Sequence, residues 1–123
     1  MKRLIFDLGS TLCHSEGGNY INATPAIDVI EKLSRYKLNG YEIVKFSSRN
    51  VRAYQSNIGK INIITLPTNL EWLTNNYIPF DVVYVGNPWC GEEGFYIDDR
   101  AVRSHEFVKY SDKELKNLFG ILR

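Results

Sequence analysis

The chain has 123 residues, 44% of them hydrophobic, enough to form one core but too few for a second domain of ordinary size. Fifteen Lys and Arg are scattered against fourteen Asp and Glu, a formal charge of +1, so composition makes no electrostatic case for a nucleic-acid partner. The first apolar run is broken by Asp7 and is far too short for a secretion-signal core or a membrane span, which predicts a cytoplasmic protein with no membrane partner.

In chain order, Leu4, Ile5 and Phe6 read as a short buried strand that delivers Asp7 at its carboxyl end, where open α/β sheets bind ligands. Cys13 to Ala23 is a short connection. The segment "TPAIDVIEKLSRYKLNG" then predicts a helix with Thr24 as N-cap and Pro25 at its first position. Ile27, Ile30 and Leu33 share its apolar face, and Gly40 ends it. "YEIVKFSSRN", Tyr41 to Asn50, is a second strand ending in the hydroxyls of Ser47 and Ser48. Arg49 follows where a helix is expected to begin, so backbone N–H groups and a planar guanidinium would face an anion.

Residues Asn50 to Thr65 break periodicity and read as a helix and loop, a flap at a dimer interface, or a connection packed on the sheet. Leu70, Trp72 and Leu73 predict a helix between Pro67 and Tyr77. "FDVVYVGNPWCG" is a third strand that leaves through Gly86 and Asn87, "GFYIDDR" a fourth that ends in Asp98 and Asp99, and Asp112 to Leu122 a terminal amphipathic helix. Strand and helix alternate, which predicts an α/β fold with a parallel sheet flanked by helices.

The loop "IFDLGSTL", the strand end at Ser47, the turn at Gly86 and the pair Asp98 and Asp99 resemble, in order, the four motifs of the haloacid dehalogenase (HAD) phosphatase superfamily. "RNVRAYQSNIGKINIITLP" and "VGNPWCGEEGFYIDDRAVRSHEF" are similar to stretches of the small HAD phosphatases of bacterial capsule and surface-polysaccharide biosynthesis. The resemblance implies a single Rossmann-like HAD domain spanning residues 1–123, with a minimal cap. It also implies Asp7 as nucleophile and Ser47 as phosphate ligand, to which Ser48 and Arg49, from their place just after the strand, would add anion contacts. Mg²⁺ would be held by Asp7, the Gly9 carbonyl and Asp98 or Asp99.

Two positions depart from that pattern. Gly9 replaces the second aspartate, the general acid, a loss of about 10²- to 10⁴-fold in rate. Asn87 replaces a lysine that pairs the nucleophile and the phosphate, removing charge stabilisation of the transition state. Lys45, Lys60, Arg49 or Arg52 could replace that cation if the fold turned one inward, and His14 is the candidate replacement acid.

Two functions follow. One is a phosphatase-like protein that keeps the Mg²⁺ scaffold and binds a phosphorylated ligand or a protein partner with hydrolysis weakened or lost. The other is an active Mg²⁺-dependent phosphatase of a sugar phosphate or related surface-polysaccharide precursor. Too few residues separate the first strand from the first helix for a helical cap, so the site should be open to a carrier-linked sugar, a partner protein or a second copy of the chain.

Overall fold

The computed structural model describes residues 1–8 and 24–121, and the backbone of residues 13–14. In chain order its elements are β1 (Arg3–Asp7), β2 (Cys13–His14), β3 (Thr24–Pro25), α1 (Ile27–Leu38), β4 (Glu42–Ser47), α2 (Ile58–Asn75), β5 (Val82–Val85), α3 (Ser104–Lys109) and α4 (Asp112–Leu118). Strands β1, β4 and β5 form a parallel sheet in that spatial order, while β2 and β3 make a separate two-residue antiparallel pair. The fold is therefore a small α/β arrangement with a parallel sheet and helices. The backbone divides into two units, residues 1–89 and 90–123, and the sheet belongs wholly to the first.

Strand β4 is central in the sheet, paired along both edges, and both of its faces are covered, since Ile43, Lys45 and Ser47 on one face and Val44 on the other are all buried. At its start Asp81 clamps β4 to the beginning of β5. The Asp81 N–H donates to the Ile43 carbonyl (2.8 Å), and its carboxylate accepts from the Ile43 N–H (2.8 Å) and from Lys37 (2.5 Å).

The first helix begins later than its sequence suggests. Thr24 and Pro25 pair with His14 and Cys13, and Ala26, with extended backbone, is the N-cap. The face that α1 buries is Val29, Ile30, Leu33 and Tyr36, while Ile27 lies outside it, 56% exposed. Positions 29, 33 and 36 follow helical spacing, and that stripe, rather than one beginning at Ile27, is the buried one.

The region between Asn50 and Tyr77 differs more. Residues 49–56 are a run of turns, so no helix N-terminus follows Ser47 directly. Helix α2 starts at Ile58, where the Asn57 side chain accepts from the Lys60 N–H (3.1 Å), and runs through Pro67 to Asn75. Its buried stripe is Ile61, Thr65, Asn69, Trp72 and Leu73. Two of these five are polar, which is why apolar periodicity alone leaves the first half of this helix hidden. Ile63 and Ile64 face outward.

In the second unit, residues 94–98 form no strand, and Phe95, Tyr96 and Ile97 are exposed. The expected fourth strand has no sheet partner among the described residues. Helix α3 has no counterpart among the elements expected from the sequence. Its first turn is held by the Glu106 carboxylate, which accepts from the Arg103 N–H (2.9 Å). Ser111 and Glu114 cap α4 reciprocally, and α4 stops at Leu118 because Gly120, at φ +69°, turns the chain, letting the Ile121 N–H reach the Lys116 carbonyl (2.9 Å). No helix among the described residues is long and apolar enough to cross a membrane.

Candidate functional site at the carboxyl end of the sheet

Parallel strands carry their carboxyl ends to one edge, and hydrogen bonds beyond the strands extend the pairing there. The Leu8 N–H donates to the Phe46 carbonyl (2.9 Å) and the Asn87 N–H to the Ser47 carbonyl (3.0 Å). Asp7, Ser47 and Asn87, the predicted residues of three separate motifs, thus stand at the same end of the three strands. Asp7 is half-buried and Ser47 fully buried.

Gly86 makes the exit from β5 feasible. Its φ is +79°, in the left-handed region, and an added Cβ would lie 2.1 Å from Cδ1 of Ile58, the first residue of α2. Glycine is thus favoured by the backbone turn itself, while the contact with Ile58 falls on the movable end of a side chain.

The loop after β4 is pinned inward by its own polar groups. The Ser47 hydroxyl accepts from the Arg49 N–H (3.1 Å), closing a tight turn and leaving its own hydrogen for another acceptor. Arg49 is buried and its Nη1 donates to Asn69 Oδ1 on α2 (3.1 Å), while Asn50 Nδ2 donates to Thr65 Oγ1 one turn earlier (2.6 Å). Among the described residues, the buried polar and charged ones are Lys45, Ser47, Arg49, Thr65 and Asn69. All lie on β4, on the residues just after it, or on the stripe of α2 that meets them. Such groups are costly to bury without partners, and here they are concentrated at one place.

Of the four cations that could replace the missing lysine, Lys45 and Arg49 are buried. Lys60 and Arg52 are exposed, with the Arg52 guanidinium 5.1 Å from the centre of the Trp89 ring. Lys45 is fully buried on the central strand, its Nζ 4.4 Å from the centre of the Phe6 ring. Burial lowers its amine from 10.5 to about 7, because removing an ammonium from water disfavours the charged form. No hydrogen-bond acceptor meets Lys45 Nζ among the described residues, and Asn69 Nδ2 is likewise without one. Asn69 and Thr65 are the members that sequence reading missed. The signal was present as polar residues at four-residue spacing from Ile61, but only a partner loop gives that spacing meaning.

The remaining predicted residues divide as follows. Ser48 is half-buried beside Ser47. Gly9 lies outside the described residues, as do Thr11, Leu12 and the side chain of His14. Asp98 and Asp99 belong to the second unit and are exposed, with an Asp98 carboxylate oxygen accepting from the Arg100 N–H (2.9 Å). For Mg²⁺, Asp7 offers a hard carboxylate oxygen of the right kind at the sheet edge. Among the described residues no three His, Cys, Asp or Glu converge.

The chain matches no family model and no curated protein. It is similar to the crystal structure of a target protein from Vibrio cholerae, with 50% sequence identity, a TM-score of 0.95 and 98% of each chain covered.

Proposed function

The chain belongs to the family of that Vibrio cholerae protein, and we propose that it is a phosphoryl-binding scaffold of the HAD type, Rossmann-like with a minimal cap, whose phosphohydrolase activity is weakened or lost. The observation that carries this reading is the convergence of Asp7, Ser47 and Asn87 at one end of three parallel strands, beside the buried cation Arg49. The Ser47 hydroxyl donates to a phosphoryl oxygen, Ser48 adds a second hydroxyl, and the Arg49 guanidinium supplies positive charge where water is excluded.

Turnover requires the Asp7 carboxylate to attack phosphorus and expel an alkoxide that must gain a proton. With glycine at position 9 no side chain there delivers that proton, so water or His14 would have to supply it, and without a positioned acid the step slows by about 10²- to 10⁴-fold. Asn87 holds its place by a backbone bond to Ser47 and brings no charge. Mg²⁺, held by Asp7 and the Gly9 carbonyl, would neutralise charge on the phosphoryl oxygens. Loss of Mg²⁺ affinity in Asp98→Asn or Asp99→Asn would add those residues to its ligands.

The second reading, an active phosphatase of a sugar phosphate or surface-polysaccharide precursor, draws support from the burial of Arg49 and Lys45, which offers positive charge that Asn87 lacks. A carrier-linked sugar, a partner protein or a second copy of the chain are the proposed occupants of an open site.

The experiment is phosphate release from p-nitrophenyl phosphate and a panel of sugar phosphates with Mg²⁺, comparing the natural chain, Asp7→Asn, and the double variant Gly9→Asp with Asn87→Lys. The scaffold reading expects no release above Asp7→Asn from the natural chain, and release from the double variant. Release by the natural chain that vanishes in Asp7→Asn establishes the second reading. A folded, Mg²⁺-binding double variant that stays silent overturns the proposal that these two losses account for inactivity.

A further inference from the structure

Lysine is among the residues least often fully buried, and when it is buried its ammonium is almost always paired. Lys45 has no solvent exposure and sits in the middle of a central strand. Its ring contact with Phe6 supplies a π face but no hydrogen-bond acceptor, and none reaches Nζ among the described residues. An ammonium in that setting has three N–H donors to satisfy.

The strand fixes where those donors can act. Side chains alternate across a sheet, so Ile43, Lys45 and Ser47 share one face of β4, together with their register neighbours Phe6 on β1 and Val83 and Val85 on β5. Two residues along a strand are about 6.6 Å apart, a distance that the four-carbon stem of a lysine spans. Lys45 therefore lies directly below Ser47, on the same face, and Ser47 stands at the end of the sheet, followed by the buried Arg49 with its partner Asn69. Asn69 Nδ2 is a second buried donor with no acceptor among the described residues.

We propose that Lys45 is the counter-cation of the anion bound at Ser47 and Arg49, supplying from beneath on the central strand the charge that Asn87 does not provide at the end of β5. The inference rests on the phosphoryl-binding reading above and names the group that completes it. A phosphoryl oxygen at Ser47 would accept from the Lys45 ammonium and hold it protonated, removing the imbalance that burial creates. Binding and protonation of the amine are then coupled, and each favours the other.

The test uses the full chain and inorganic phosphate as the probe, with and without Mg²⁺. Phosphate affinity is measured at pH 6 by calorimetry for the natural chain, Lys45→Met, Ser47→Ala and Arg49→Met. In parallel, the Lys45 side-chain ¹³Cε resonance is titrated in the natural chain with phosphate and in phosphate-free buffer, so that the answer does not depend on Lys45→Met folding.

Lys45→Met is expected to weaken phosphate binding by about 10- to 100-fold, as loss of a charge-assisted hydrogen bond does. Phosphate is expected to move the Lys45 midpoint upward from its phosphate-free value. If Ser47→Ala and Arg49→Met weaken binding while the Lys45 midpoint stays where it was, this inference falls and the phosphoryl-binding reading stands. A midpoint already near that of a free lysine without phosphate also overturns it, since an acceptor within the chain would then hold the amine. If the natural chain binds no phosphate under either condition, both fall together.

Discussion

Replacing Lys45 by methionine keeps an unbranched apolar stem, one atom shorter, and removes its charge, which exposes what burying the amine costs. The amine titrates at 10.5 when unfolded and at about 7 when folded. The unfolded chain therefore binds more protons between those two values, and stability gained from deprotonating the buried amine accumulates as pH rises through that window. Below pH 7 the full penalty is present, about 5 kcal/mol at most for a shift of that size. At pH 9 roughly 2 kcal/mol of it remains, and above 10.5 none. Lys45→Met should therefore be more stable than the natural chain at pH 6, with an advantage that shrinks steadily toward pH 10. Urea denaturation of both proteins at several values between pH 6 and 10, in phosphate-free buffer, reads this difference directly. Groups that titrate alike in both proteins cancel. A stability difference that does not change with pH would refute the reasoning, because the buried amine would then carry the same charge folded and unfolded.

Gly86→Ala should lose about 1–2 kcal/mol in chemical denaturation from the left-handed backbone alone, since the side-chain conflict with Ile58 falls on the end of a movable chain. Adding Ile58→Ala should relieve the contact without recovering that loss; full recovery would assign the cost to the helix instead. Asp81→Asn should lower the melting temperature at pH 7 and flatten its acid dependence. The Ile43 N–H and then Lys37 hold the Asp81 carboxyl below its ordinary 3.8, so its stabilisation is present above 3.8 and disappears as pH falls through the lower folded value. Equal melting temperatures for the two proteins at pH 7 would show that the clamp at the start of β4 contributes nothing.

Much of the first unit is legible in the chain itself, for reasons that are local. Leu4 to Asp7, Glu42 to Ser47 and Val82 to Val85 are apolar runs ended by polar or glycine residues, and each forms the strand its pattern predicts. Alternation with helical segments is enough to make the sheet parallel, and a parallel sheet necessarily gathers Asp7, Ser47 and Asn87 at one end. The start of α1 is less legible because Thr24 and Pro25 suit a helix start as well as the short pairing with Cys13 and His14 that they adopt.

Other features depend on contacts between distant parts of the chain. No local rule marks residues 49–56 as turns rather than a helix; the tie of Arg49 to Asn69, and of Asn50 to Thr65, closes over 20 and 15 residues of sequence. Those same ties explain why α2 carries a polar stripe and so hides half its length from an apolar-period reading. In the second unit, "GFYIDDR" has strand composition but no pairing edge among the described residues, and strand propensity without a partner does not make a strand.

Sequence alone thus determined the three strands of the parallel sheet, their arrangement and the chemical identities at the sheet edge, including the absence of an acid at Gly9 and of a cation at Asn87. Only the tertiary structure decided which of four basic residues turn inward. Arg49 and Lys45 do, and Arg52 and Lys60 do not. The physical reason is that burial of a charge is set by long-range partners, the strands on both edges of β4 for Lys45 and Asn69 of α2 for Arg49, none of which is written in the residue or its near neighbours.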